Sequence, residues 1–253
     1  GQSHSDGRKS LASRTYYARL TKALTTAMSA HTAEGRLYEI DMRLRPSGNQ
    51  GPVATAWTAF RDYQSREAWT WEHLALTRAR VVAGPGDLAQ DVEAFRVDLL
   101  AQGPCAQAVL SAVRDMRGRI ARAKGPGTVW DPKIGPGRMQ DIELVAQAAA
   151  LTCGRPVRQA PRALARAPWL TTDEVRALSD AYALAWAVQI GARLVTERTL
   201  DPDALGRQGC VFLERLTGQA DMASLEAALR QASARAAAII DRVTQQESAD
   251  DQE

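Results

Sequence analysis

Between residues 14 and 29, Tyr17, Leu20, Leu24, Ala27 and Met28 recur at helical spacing, and Glu34-Gly35 then interrupts the pattern. From Leu37 the period changes to two. In LYEIDMRLRPSG, residues 37–48, the apolar Tyr38, Ile40, Met42 and Leu44 alternate with Glu39, Asp41, Arg43 and Arg45, as in a strand with one charged face. Pro46 and Gly48 end it. Beyond the SGNQGP loop, Phe60, Tyr63, Trp69, Trp71, Leu74 and Leu76 predict one or two helices over 58–83, closed by Gly84-Pro85-Gly86. Helical periodicity returns over 87–101, 105–123, 138–153, 172–199, 207–217 and 221–246, punctuated by GP, GPG, GRP and DPD. The predicted fold is mainly α with a strand near one end. A lone strand leaves its backbone hydrogen bonds unmet. Its partner is expected either in a short irregular segment or in a sheet upstream of Gly1, in which case the chain is a fragment.

Composition narrows the class. The chain has 253 residues, 45% of them apolar, enough to bury a core. Its 32 basic and 29 acidic side chains are spread evenly, so the net charge of +3 does not argue for a nucleic-acid or membrane surface. Arginine is the default cation: the lysines are Lys9, Lys22, Lys124 and Lys133. Cys105, Cys153 and Cys210 have no metal-ligand spacing and read as reduced thiols of a cytoplasmic protein. The start GQSHSDGRKS lacks the apolar core of a signal peptide. The acidic end QQESADDQE reads as a disordered tail.

The charged face of the strand admits two readings. Glu39, Asp41, Arg43 and Arg45 can be a solvated face with salt bridges, or a carboxylate on rigid structure flanked by arginines, which suits a divalent metal and a polyphosphate. The second reading demands more carboxylates from neighbouring strands. Trp69, Trp71 and Glu72, with Arg78 and Arg80 beyond, read either as a helix with an aromatic core face or as a source of arginines for a triphosphate. In KIGPGRMQDIE, residues 133–143, Asp141 and Glu143 enter a helix N-terminus, where capping alone accounts for carboxylates. The pattern is not a P-loop. His4, His31 and His73 form no cluster, so a histidine-based site is not expected.

Three segments, LYEIDMRLRPSGNQGPVAT, FRDYQSREAWTWEHLALTRARVVAG and WDPKIGPGRMQDIEL, lie in order over about 14–150 and resemble the glutamine synthetase adenylyltransferase (glutamate-ammonia-ligase adenylyltransferase) family. The tail 155–253 resembles it only as a helical region. The resemblance implies two tandem halves, each a polymerase-beta-like nucleotidyltransferase domain followed by a helical bundle. One half transfers AMP from ATP to a tyrosine of glutamine synthetase; the other removes it by phosphorolysis. EAWTWEH, residues 67–73, is similar to the carboxy-terminal, adenylylating half. Carried over by position, Asp41 is a catalytic carboxylate and metal ligand, and Arg43, Arg45, Arg80 and Lys133 contact nucleotide or phosphate. Glu72, Asp141 and Glu143 support the active site.

The resemblance also implies Mg²⁺, ATP as substrate, and as partners glutamine synthetase, the PII signalling protein and the other half of the bifunctional enzyme. The family's Gly-Ser…Asp-x-Asp signature does not occur between Gly1 and Leu37, and Asp201-Pro-Asp203 reads as an interhelical turn. The expectation is a carboxy-terminal fragment, inactive alone: 1–100 the end of the nucleotidyltransferase domain, 101–246 an all-α helical bundle, 247–253 a disordered tail. Two other outcomes stay open, the deadenylylating half and a non-catalytic helical interaction module. The chain departs from the family's usual Gly-Gly at Gly137-Arg138 and from its Phe at Leu144, leaving open any loop conformation that needs the second glycine.

Overall fold

The computed structural model describes residues 10–125 and 127–245, and the tail predicted over 247–253 lies outside them. The chain divides into two compact units, Gly1–Glu72 and His73–Glu253.

The first unit opens with α1 (Ser13–Ser29), none of whose side chains is buried. A two-residue hairpin follows, β1 (His31–Thr32) against antiparallel β2 (Gly35–Arg36). Gly35, at φ +97°, lets the backbone make the turn without a Cβ clash. The predicted strand over 37–45 forms no ladder. Two local bonds take up its backbone instead: the Tyr38 N–H donates to the Met28 carbonyl at the end of α1 (3.0 Å), and the Arg43 N–H donates to the Asp41 carboxylate (2.9 Å). A side chain that satisfies the backbone two residues on competes directly with strand pairing. A tight loop, including the 3-10 turn Gly48–Gln50, leads to α2 (Trp57–Arg66) and α3 (Thr70–Leu76), where one or two helices are predicted over 58–83.

α3 runs into the second unit, which continues with α4 (Gly86–Ala101), α5 (Ala106–Lys124), α6 (Met139–Thr152), α7 (Ala160–Leu164), α8 (Thr172–Val195), α9 (Arg207–Thr217) and α10 (Met222–Gln245). α6 is apolar nearly all round and buries Met139, Ile142, Val145, Leu151 and four alanines, as a central helix must. It packs against α5, α7, α8 and α10. The main core gathers Leu74, Leu100, Val113, Ile142, Leu151, Leu164, Leu178 and Ile240, and a smaller one gathers Val188, Leu200, Leu213, Leu225 and Leu229. α8 starts at a capping box: Thr171 accepts from the Glu174 N–H, and Glu174 accepts from the Thr171 N–H. Glu174 also receives Arg242 from α10. Periodicity predicts α8 as far as 199, but the helix stops at Val195, where Thr196 turns extended (φ −150°, ψ 146°).

Candidate functional site

LYEIDMRLRPSG closes on itself. The Arg43 guanidinium forks onto Asp41, with Nε 2.9 and 3.0 Å from the two carboxylate oxygens and Nη2 2.6 Å from Oδ2. Those hydrogen bonds hold the Asp41 carboxyl down at about 2 and push the Arg43 guanidinium up. Both side chains stay open to solvent, 56% and 75% exposed, so the pair is available to a ligand. Glu39 pairs with Arg36 at 2.5 Å. Arg45 faces the loop instead: it donates to the carbonyls of Met42 (2.6 Å), Gly51 (3.0 Å) and Asn49 (3.2 Å). That loop needs such a staple. Ser47 and Gly48 both have positive φ, and a Cβ on Gly51 would sit 1.8 Å from the Pro46 oxygen. Glu72, in the first turn of α3, is buried and accepts from the Trp69 N–H (2.9 Å) and from the Tyr63 hydroxyl (3.0 Å). It caps α3 and joins it to α2.

The other predicted residues lie in the second unit, where Asp141 and Glu143 serve two polar knots. Asp141 accepts from the Gly137 N–H ahead of α6 (2.9 Å) and from Arg117 on α5 (3.0 Å), and Arg117 reaches Asp241 on α10 (2.8 Å). The Arg117 and Asp141 side chains are only 15% and 13% exposed, so this ion pair ties three helices in a low-dielectric place. Glu143, two residues on, meets Arg78 (3.1 Å) and accepts from the Tyr182 hydroxyl (3.0 Å). Burial first, and then the Glu143 charge, push the Tyr182 phenol up to about 12. Arg80 and the Lys133 ammonium are exposed and make no ion pair among the described residues.

The glycine turn before α6 depends on one glycine. Gly137 has φ +67°, and a Cβ there would lie 1.9 Å from the Ser233 oxygen and 2.5 Å from the Ala237 nitrogen of α10. Arg138 sits in extended backbone (φ −91°, ψ −176°), which any residue adopts, so a second glycine is not needed. Its guanidinium donates to the carbonyls of Thr128 (2.6 Å), Asp131 (2.8 Å) and Ile134 (2.8 Å), fixing the turn from within. Asp201 is the turn residue expected of it, accepting from the Asp203 N–H at 3.1 Å.

Residues 1–95 match the model of the family described as glutamate-ammonia ligase adenylyltransferase. The chain is 41% identical over 237 residues, 90% of its length, to the bifunctional glutamine synthetase adenylyltransferase/adenylyl-removing enzyme of Mesorhizobium japonicum. The enzyme of the same name from Rhodopseudomonas palustris (strain BisB5) is 36% identical over 256 residues, 98% of the chain. That from Brucella suis is 47% identical over 178 residues, 70% of the chain. The chain belongs to the glutamate-ammonia ligase adenylyltransferase family. Its helical stretch 109–246 also matches the model described as GlnD PII-uridylyltransferase, so the similarity carries on beyond residue 150. The aligned stretches are 24%, 26% and 17% of those three enzymes, so the chain spans about a quarter or less of the length of the curated relatives it matches.

Adenylyl transfer in such a family raises the question of a metal. Magnesium demands near-octahedral oxygen ligands, one or two of them carboxylates. Among the described residues no three His, Cys, Asp or Glu side chains come together, and Asp41 is engaged by Arg43. These side chains do not by themselves fit a Mg²⁺ site. Among the described residues no helix is long and apolar enough to cross a membrane.

Proposed function

We propose that this chain belongs to the adenylylating half of a glutamine synthetase adenylyltransferase, with Asp41 and Arg43 at the reacting groups. The observation that carries the reading is the Asp41–Arg43 pair, exposed and ionised, within the stretch that matches the adenylyltransferase family. In the transfer, the phenolic oxygen of a glutamine synthetase tyrosine bonds to the α-phosphorus of ATP. The bond from that phosphorus to pyrophosphate breaks, and the phenol's proton passes to solvent water. A carboxylate held at about 2 is a weak proton acceptor at neutral pH, so Asp41 orients the hydroxyl and supplies charge rather than acting as the base. Arg43 keeps Nη1 free of hydrogen bonds among the described residues and offers it to a phosphate oxygen. Arg45, bonded to three carbonyls, shapes the loop beside them.

ATP, glutamine synthetase, the PII signalling protein, the other half of the enzyme and a cytoplasmic setting come with this reading. So does Mg²⁺, whose further carboxylates must come from elsewhere in the longer polypeptide. Arg80, Lys133, Glu72, Asp141 and Glu143 are assigned supporting places, the last three by holding helices.

The test is Asp41→Asn in the full-length polypeptide, followed by transfer of label from α-labelled ATP to glutamine synthetase. The rate is expected to fall about 10²-fold or more, the scale of losing one group that stabilises transition-state charge. Equal rates for both proteins would remove Asp41 from the chemistry. A loss confined to phosphate-dependent release of AMP would place the chain in the adenylyl-removing half.

A further inference from the structure

The loop that ends LYEIDMRLRPSG holds a backbone shape that costs free energy. Ser47 stands in the left-handed region (φ 60°, ψ 19°) and is the one non-glycine residue with positive φ among those described. A residue with a side chain rarely adopts that conformation, and it persists only where the surroundings over-determine it. Arg45 supplies part of the constraint from within the loop. Its carbonyl accepts from the Gly48 N–H (2.8 Å), and its guanidinium holds the carbonyls of Met42, Asn49 and Gly51. Each of those bonds begins and ends inside residues 42–51, so none of them fixes the loop to a helix.

The tie to a helix comes from Tyr63, on α2. Its hydroxyl donates to the Glu72 carboxylate, 3.0 and 3.1 Å from the two oxygens, and accepts from the Ser47 N–H. Glu72 is only 4% exposed and is itself set by the Trp69 N–H (2.9 Å), so the carboxylate is not free to swing away. Burial raises the Tyr63 phenol, the Ser47 N–H lowers it and Glu72 raises it; the balance is upward, so the hydroxyl keeps its proton at neutral pH and remains a donor. Helical spacing counts Tyr63 among the apolar positions of its helix, a place a phenylalanine ring also fills. What a phenylalanine lacks is the hydroxyl that joins Ser47 to Glu72.

We propose that Tyr63 is a positioning residue for the Asp41–Arg43 pair. The path is short: the hydroxyl holds Ser47 in its turn, the turn keeps Arg45 in place, and Arg45 Nη1 holds the carbonyl of Met42 (2.6 Å), the residue between Asp41 and Arg43. Without the hydroxyl the loop is free to leave the left-handed turn, Arg45 loses carbonyl partners that exist only in the folded loop, and the pair is released at Met42. The inference rests on the adenylylation reading, in which that pair meets the reacting groups. Tyr63 itself is assigned no contact with substrate.

The experiment is a double-substitution cycle in the full-length polypeptide, read as transfer of label from α-labelled ATP to glutamine synthetase. Tyr63→Phe keeps the ring and removes the hydroxyl, and is expected to slow transfer about tenfold or more, the scale of a small misplacement of reacting groups. In the Asp41→Asn background the same change is expected to cost less than about twofold, because the pair is already broken and residues acting as one unit are not additive. A simple loss of folded protein would lower both backgrounds by the same factor. Hydrogen exchange at the Ser47 amide of the wild-type polypeptide needs no variant and is expected to be slowed. A wild-type rate in Tyr63→Phe, equal losses in the two backgrounds, or unprotected exchange at Ser47 would each overturn the proposal. A wild-type rate in Asp41→Asn would sink the adenylylation reading and this proposal with it, whereas a wild-type rate in Tyr63→Phe beside a slow Asp41→Asn sinks this proposal alone.

Discussion

Asp41 and Arg43 are two residues apart, and the alternation in LYEIDMRLRPSG marks them as neighbours, but what holds them together is a local turn in which the Arg43 N–H and guanidinium both donate to the Asp41 carboxylate. Their partnership makes a sharp prediction. Asp41 is held at about 2, against about 3.9 for a free aspartate, and the principal cause is the side-chain hydrogen bond from Arg43. The pair is ionic throughout the neutral range. Because the folded-state value is depressed, its contribution is present above the ordinary aspartate range and fades as pH falls through about 2. In Arg43→Gln, the side-chain carboxyl carbon of Asp41, followed by NMR against pH, should titrate well above its wild-type midpoint and return toward the free value. An unchanged midpoint near 2 in the variant would show that Arg43 is not what holds it. The role of Arg45 does not follow from the alternation in this way, because its three carbonyl partners exist only once the 46–51 loop has folded.

Among the elements, α6 and the turn before it carry the most specific packing. Gly137 allows the turn to pass against the backbone of α10, and an added Cβ would meet main-chain atoms that cannot swing aside. Gly218, at φ +69°, has the same left-handed backbone but nothing within 4 Å of a Cβ. Gly218→Ala should therefore cost only the conformational penalty, about 1–2 kcal/mol. Gly137→Ala adds a displacement of α10 and should cost about 2–5 kcal/mol in all. Paired thermal melts decide it, and equal midpoints for the two variants would discard the close approach. The long helices are readable from periodicity, since α4, α5, α6, α9 and α10 fall within a residue or so of their predicted bounds. α7 is not, because five residues with Pro161 in the first turn present too short a window for a period. The alternation over 37–45 does not yield a strand, because it reports only which side chains share a face. A strand also requires a ladder, and here Asp41 and the end of α1 take the backbone donors.

For the whole molecule, the two units differ in what can hold them together. Every buried apolar residue among those described lies from Leu74 onward, and the buried side chains before it are the polar Gln64 and Glu72. α1 exposes Tyr16, Tyr17, Leu20 and Leu24, and the segment after the hairpin exposes Leu37, Tyr38 and Leu44. Apolar burial is the main term offsetting chain entropy, so the cooperative unfolding of this chain must belong to the second unit. Helix formation alone does not rescue the first, because isolated helices of α1's length are marginal in water. The polypeptide 69–253, which keeps α3 whole, should melt in one cooperative transition with a midpoint within a few degrees of the full chain and retain the helical circular dichroism of α4 to α10. The peptide 1–68 should show little helix and no sigmoidal transition. If 69–253 instead loses its transition, or melts more than about 10 °C lower, which at this size corresponds to some 3 kcal/mol or more, then residues before α3 contribute to the core and the stability of the chain is not confined to its helical unit.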